Sequence, residues 1–469
     1  MKVLKKALIF GLLAIAIVLP SVGIILLNSD STQEQFYVGV TYCGDSVIEA
    51  KKLIDKVKNY TNLFVLQSGT LQYGHRLDEL RQIIDYAVES DLYFIVYLSQ
   101  FQEHLDDWFG LFDPLWANHF LGVYFGDEPG GKMVDGYTNF LKGSSKNIIE
   151  KWADGSVKVN FANLPPNIEY DPEITYYHNG TVFVKKYDLN DGLKIIYATY
   201  YINGTVSVKI EELVGSSFQH GSETDIPYSY ETVQNMYPFN NYDVAADLFI
   251  DLYRSILTNE TNGYSDATYF TSDYVLHWFD YKSGYDVILA QVGWNHTIEQ
   301  DIALVRGAAR MQDKKWGAII TWKYNHPPYL DSGEAIFDQM KISYEAGAEY
   351  VVLFNYAENI TTPYDTLQEE HFVALEQFWN EVVQNLDVKQ GSIKADAVLV
   401  LPENYGWGMR DPNDKIWGLW GPDEKSSQIW STSQSLLEQY GLGLDIIYED
   451  SQFPFEEKYS KIFYWNQTP

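Results

Sequence analysis

Short apolar strands alternate with amphipathic helices along most of this 469-residue chain, and that alternation restricts the fold more than any other feature. A strand-like run at 36–42 is followed by a helical stretch at 46–60. Runs at 63–66, 92–98 and 121–125 repeat the unit, with helices at 76–90 and up to 119 between them. Uninterrupted apolar strands separated by helices belong to a parallel sheet covered on both faces. The rhythm breaks over 157–212, where Asn179-Gly180 and Asn203-Gly204 sit between stretches of alternating Tyr, Val, Ile and Lys. Asn-Gly between alternating runs predicts antiparallel hairpins. The β/α rhythm then resumes with strands at 267–271, 286–292, 316–322 and 350–355 and helices at 297–312 and 332–346. Four strands before the break and four after it predict a (β/α)8 barrel over 36–386, with an antiparallel β-hairpin insertion at 157–212 after unit four. Residues 387–469 supply a strand at 397–401, a helix at 426–440 and strands at 444–448 and 461–464, which fits a small C-terminal α/β, flavodoxin-like domain.

The first residues read differently. A basic flank, 1–6 with Lys2, Lys5 and Lys6, precedes an uncharged apolar run at 7–27, and 28–35 form a polar linker. At about 1.5 Å per residue such a helix spans a hydrocarbon core of about 30 Å. Positive flank, apolar run and acidic bulk, in that order, predict a cytoplasmic flank, an N-terminal membrane anchor and an extracellular chain; a cleaved signal peptide is the alternative. Seven Asn-x-Ser/Thr sequons, at Asn59, Asn179, Asn203, Asn259, Asn295, Asn359 and Asn466, agree with export and glycosylation. A single cysteine, Cys43, leaves no disulfide framework within the chain. Many sequons with one cysteine fit an archaeal surface glycoprotein.

Charge narrows the partner. Lys and Arg number 33 against 64 Asp and Glu, a net charge of −31, which excludes the basic footprint a nucleic-acid binder needs. Neutral or basic glycans are expected over acidic polymers. His75, His296 and His326 lack metal-ligand spacing, so neither a metal nor a cofactor is implied. Arg306 and Arg310, four apart on one predicted helix, read as a solvated, ion-paired face.

Active sites of (β/α)8 barrels lie at the C-terminal ends of the strands, so the search reduces to eight short segments. The fourth ends in Gly126-Asp127-Glu128-Pro129, where two carboxylates meet a proline that stops the strand. Neighbouring strand residues point to opposite faces, so at most one of the pair faces the pocket unless the backbone twists. Glu128 is the candidate general acid, its pKa raised by an aromatic lining and a neighbouring carboxylate. Asp127, Asp273 and Glu358 are candidates for a second carboxylate. The other strand ends are rich in aromatic and amide side chains: Tyr42, Gln67, Tyr124, Trp294, Trp322, Tyr324, Asn325, His326 and Asn355. Flat rings stack on the C–H face of a sugar and amides meet its hydroxyls, so these are candidate substrate-binding residues.

The segment Leu121-Gly-Val-Tyr-Phe-Gly-Asp-Glu-Pro129 resembles the strand-four acid motif of the barrel glycoside hydrolases, commonly Asn-Glu-Pro. Glu128 matches the acid/base Glu of that motif, and Asp127 replaces its Asn. Residues from about 388, with Ala397-Val-Leu-Val-Leu-Pro402 and Tyr405-Gly-Trp407, resemble the flavodoxin-like, amidotransferase-type domain that follows the barrel in β-galactosidase-type enzymes. The resemblance implies hydrolysis of a glycosidic bond in an oligo- or polysaccharide. The retaining members carry a nucleophilic Glu at the end of strand seven; here that position reads Trp322-Lys-Tyr-Asn-His326, with no carboxylate before Asp331. The Asp-x-x-Asp-x-Asp-x-Glu string of chitinase-like members is also missing. Two readings stay open: an extracellular, membrane-anchored glycoside hydrolase, or a non-catalytic cell-surface glycan-binding or envelope glycoprotein on an inactive barrel. The sequence leaves sugar, linkage, stereochemistry and oligomeric state undecided.

Overall fold

The computed structural model describes residues 35–69, 76–98, 102–135, 149–151, 156–160, 173–177, 179–188, 194–214, 217–220, 242–260, 267–294, 297–356 and 364–467. Tyr37–Pro469 form one compact unit. The predicted anchor at 7–27 lies outside the described residues, among which no helix is long and apolar enough to cross a membrane.

Eight strands close into a barrel. The first half comprises β1 (Tyr37–Tyr42), β2 (Leu63–Leu66), β3 (Tyr93–Leu98) and β4 (Phe120–Phe125), with helices α1 (Val47–Val57), α2 (Leu77–Glu89) and α3 (Gln102–Leu111) between them. A one-turn helix α4 (Pro129–Val134) follows β4. The chain then leaves the barrel for seven strands: β5 (Ile149–Lys151), β6 (Val157–Asn160), β7 (Glu173–Tyr176), β8 (Val182–Asp188), β9 (Lys194–Tyr200), β10 (Val206–Val214) and β11 (Ser217–His220). It returns through α5 (Tyr242–Glu260), β12 (Tyr269–Asp273), α6 (His277–Ser283), β13 (Val287–Val292), α7 (Ile298–Gln312), β14 (Lys315–Ile320), α8 (Gly333–Glu345), β15 (Tyr350–Leu353) and α9 (Glu369–Phe378). Order around the barrel is β1-β15-β14-β13-β12-β4-β3-β2, every pair parallel, and β12 against β4 restores the register across the insertion (Tyr269 beside Val123). The predicted barrel strands agree with the observed ones to within a few residues at either end.

Inward-facing Leu63, Val65, Ile95, Tyr124, Phe270, Val287, Leu289, Ile319 and Val352 fill the barrel. At its N-terminal end Tyr350 stacks on Tyr37 (5.2 Å) and meets Phe270 edge-on. Each such side chain buried contributes about 1.5–3 kcal/mol, and the plug confines open space to the other end of the barrel.

The insertion is a seven-stranded sheet in sequence order, antiparallel throughout, and so more than a hairpin. Both predicted turns are present, in a different form from the two-residue Asn-Gly turn. Tyr201 N–H donates to Thr205 O while Gly204 N–H donates to Tyr201 O, leaving three residues in the loop, and Gly204 takes φ +85°. Tyr177, Gly180 and Thr181 repeat this arrangement, with Gly180 at φ +83°. Asn-Gly thus supplies the left-handed glycine of a bulged three-residue loop. The C-terminal region forms a parallel sheet in the order β17 (Leu444–Tyr448), β16 (Ala397–Leu401), β18 (Lys461–Tyr464), with α10 (Glu424–Tyr440) on the crossover. Arg306 is buried rather than solvated, because β17 lies on α7: its Nε donates to Asp445 Oδ1 (2.8 Å) and its Nη2 to Leu442 O and Leu444 O.

Candidate active site

Glu128 occupies the left-handed region, φ +52° and ψ +51°, just after Gly126 at φ +76°. A non-glycine residue there costs of order 1 kcal/mol or more and persists only where its surroundings hold it. This turn lets two successive carboxylates share one cavity, against the alternation a straight strand would impose. Asp127 and Glu128 both line a cavity of about 150 Å³ at the C-terminal end of the barrel, with Gln67, Tyr124, Ser272, Gln291, Trp294, Ile319, Thr321, Trp322 and Phe354.

Hydrogen bonds from neighbouring strands brace the pair. Gln291 Nε2 donates to Glu128 Oε1 (2.7 Å) and approaches Ser272 Oγ (3.0 Å). The Tyr124 hydroxyl lies 2.5 Å from Asp127 Oδ1 and 2.7 Å from Ser272 Oγ, and Ser272 Oγ donates to the same Asp127 oxygen (3.0 Å). Burial, then the charge of Asp127, raises the Glu128 carboxyl above the usual carboxylate range; Gln291 and Lys132 oppose the shift. Burial and Asp127 likewise push Tyr124 well above the ordinary phenol value, so it stays a hydrogen-bond donor. The pair therefore combines a carboxyl whose pKa is raised with a neighbouring carboxyl fixed by two hydroxyls.

Asp273 is placed differently. It follows Ser272 on β12, so its side chain points out of the barrel, where it is fully buried under α4. Its carboxylate accepts N–H bonds from Gly130 (2.6 Å), Gly131 (2.9 Å), Tyr274 (2.7 Å) and Val275 (3.2 Å). Burial, with the charge of Glu128, pushes this carboxyl up to about 8, against the pull of the backbone N–H bonds. Behind it Asp280 is fully buried, and burial and Asp273 raise its carboxyl far above the usual range, so it is carried neutral.

The cavity thus gathers Asp127, Glu128, Gln67, Tyr124, Trp294 and Trp322 from the predicted residues. Glu358 lies outside the described residues, as do the sequons Asn295 and Asn359. Tyr42 is buried in a local cap, donating to Ser46 O (2.7 Å) and accepting from Ser46 N–H. Asn355 is also buried, its Oδ1 accepting from Thr366 and Leu367, and it fixes the loop before α9. Tyr324, Asn325 and His326 sit on an exposed loop outside the cavity lining, where Tyr324 stacks on His326. Strand seven delivers Thr321 and Trp322, and Asp331 pairs with Lys323 instead of entering the cavity. The sequence reading missed Ser272 and Gln291. Gln291 carried a signal, as a lone amide in the apolar run Val287–Val292.

Trp322 centres the aromatic wall. It stacks parallel to Tyr356 (6.1 Å), meets Trp294 edge-on (6.4 Å), and is fixed by its indole N–H on Tyr356 O (2.9 Å). Gln67 Oε1, also on the cavity lining, is shielded from solvent and has no hydrogen-bond partner among the described residues. Among the described residues no group of three His, Cys, Asp or Glu is placed to hold a metal ion.

No protein-family profile matches this chain, and no curated protein does. Among solved structures the chain is similar to GH5_18 from Streptomyces cattleya, solved in complex with GlcNAc, with 8% identity, 92% of this chain and 99% of that chain covered, and a TM-score of 0.44. It is also similar to Amy13B from Eubacterium rectale, with 11% identity, 74% and 78% covered, and a TM-score of 0.30. Likenesses this slight add nothing to the barrel, which stands on its own strand pairing.

Proposed function

We propose that this barrel hydrolyses glycosidic bonds, with Glu128 as general acid and Asp127 as the second carboxylate. One observation carries the reading: a left-handed turn at the end of β4 turns both carboxyls into one cavity, where burial raises the pKa of Glu128. A carboxyl that is neutral at the working pH can protonate a leaving glycosidic oxygen, and a fixed anion beside it offsets the positive charge that develops on the sugar. The Trp294–Trp322–Tyr356 wall offers stacking faces, and Gln67 Oε1 waits for a donor such as a sugar hydroxyl. Neutral or basic oligosaccharides are the proposed substrates, and the proposed location is the cell surface, through the apolar run at 7–27.

Glu128→Gln should lower turnover on aryl glycosides and oligosaccharides about 10²–10⁴-fold while leaving the melting temperature within a few degrees. Undiminished turnover in that variant would remove Glu128 from the role. A second reading, a glycan-binding protein on an inactive barrel, draws on strand seven, which brings no carboxylate to the cavity. Glycan-array binding without hydrolysis by wild type would favour it.

A further inference from the structure

We infer that Arg410, from the C-terminal region, is a positioning residue for the Asp127–Glu128 pair, acting through the one-turn helix α4. The inference rests on the hydrolase reading for its catalytic consequence, but its geometry does not. Glu128 immediately precedes Pro129, the first residue of α4; its N–H is held by Ser272 O (2.9 Å) and its carbonyl accepts from Lys132 N–H (2.9 Å), so the far side of its left-handed turn is set by where α4 sits. Six residues of helix cannot fix themselves, since nucleation alone exceeds what one turn returns.

Both ends of α4 are held from outside. At its start Asp273 takes the N–H groups of Gly130 and Gly131. At its end stands Asp135, whose Oδ1 receives Arg410 Nη1 (2.6 Å) and whose Oδ2 receives the Tyr274 hydroxyl (2.7 Å). Arg410 is itself aimed by a two-pronged bond to Asp414, Nε on Oδ2 and Nη2 on Oδ1 (both 2.8 Å), and lies over the Tyr274 ring at 5.5 Å. Asp414 in turn receives the N–H groups of Arg410 and Lys415. The same C-terminal loop presses on the helix backbone: a Cβ on Gly418, which sits at φ +66°, would lie 1.9 Å from Met133 O. A planar, doubly hydrogen-bonded guanidinium supplies direction as well as charge, which an ammonium does not.

The test uses the full chain with Arg410→Ala, Arg410→Lys and, as control, Lys461→Ala, whose partner Asp396 lies on an exposed edge. Hydrogen exchange of the 126–135 segment, read by mass spectrometry, should accelerate about tenfold or more in Arg410→Ala, less in Arg410→Lys, and not in Lys461→Ala. On glycosides, kcat/KM of Arg410→Ala should fall roughly 10- to 100-fold for a phenyl leaving group and only about threefold for dinitrophenyl, which departs without a proton. Unchanged exchange in the folded variant, or equal losses on the two leaving groups, overturns the proposal. Faster exchange in a protein whose wild type cleaves no glycoside upholds the clamp and sinks the hydrolase reading instead. Should Arg410→Ala not fold, Arg410→Lys carries both readouts.

Discussion

At the residue scale the site separates two kinds of buried carboxyl. Glu128 faces a cavity and the charges of Asp127 and Lys132, whereas Asp280 faces only protein and Asp273. The folded state keeps the Asp280 proton far above the ordinary value of 3.8, while the unfolded chain releases it there. Between those values the native state binds the extra proton, so this residue's contribution to stability is full below about pH 4 and is lost as pH rises. Asp280→Asn, which cannot ionise, should therefore match wild type at pH 4 and melt about 1–3 °C higher at pH 8, measured by calorimetry. An equal difference at both pH values would show that Asp280 is ionised in the fold.

At the element scale, α4 and the β9–β10 turn make contrasting uses of glycine. A Cβ on Gly131 would fall 2.2 Å from the Tyr274 ring, which its bond to Asp135 keeps from swinging away, whereas a Cβ on Gly204 meets nothing within 4 Å. Gly131→Ala should cost about 1–3 kcal/mol of stability and reduce turnover. Gly204→Ala should cost about 1 kcal/mol, from its positive φ alone, and leave turnover intact. Chemical denaturation paired with a glycoside assay separates the two. The strands were legible because apolar runs of β-branched and aromatic residues are read locally, and Glu128 stood out as a polar pair ending such a run. Asp273 was legible only as a carboxylate near a strand end. Its side of the sheet depends on a one-residue register at β12, and two of its four partners are backbone amides 142 and 143 residues away. The turn at Glu128 was hidden because left-handed backbone is signalled by glycine, and here a glutamate is forced into it by its neighbours.

At the scale of the whole molecule, the barrel and the C-terminal sheet share charges that neither part can spare. Asp445 is fully buried, takes Arg306 Nε and the Tyr459 hydroxyl (2.8 Å), and has Arg310 at 3.5 Å. Two arginines four apart on a helix look alike in sequence whether they face water or another sheet, so their burial was not legible. Arg306→Met should leave the Asp445 charge short of its main partner and destabilise the protein by about 3–5 kcal/mol. Barrel and C-terminal sheet should still melt in one transition in wild type, followed by near- and far-ultraviolet circular dichroism; a separate early melting of the C-terminal part would contradict the coupling.

The insertion also sets a timetable. Asp127 and the hydroxyl that braces it, on Ser272, are 145 residues apart in the chain. At a synthesis rate of about 5–20 residues per second, the acidic turn leaves the ribosome roughly 7–30 s before β12 exists to support it. For that interval the nascent chain carries half a barrel with an open edge at β4, while the intervening antiparallel sheet, built wholly from neighbouring strands, has its partners at hand. The insertion can thus mature first and hold the two half-barrels in one place until the second half arrives to close the ring and complete the carboxyl pair.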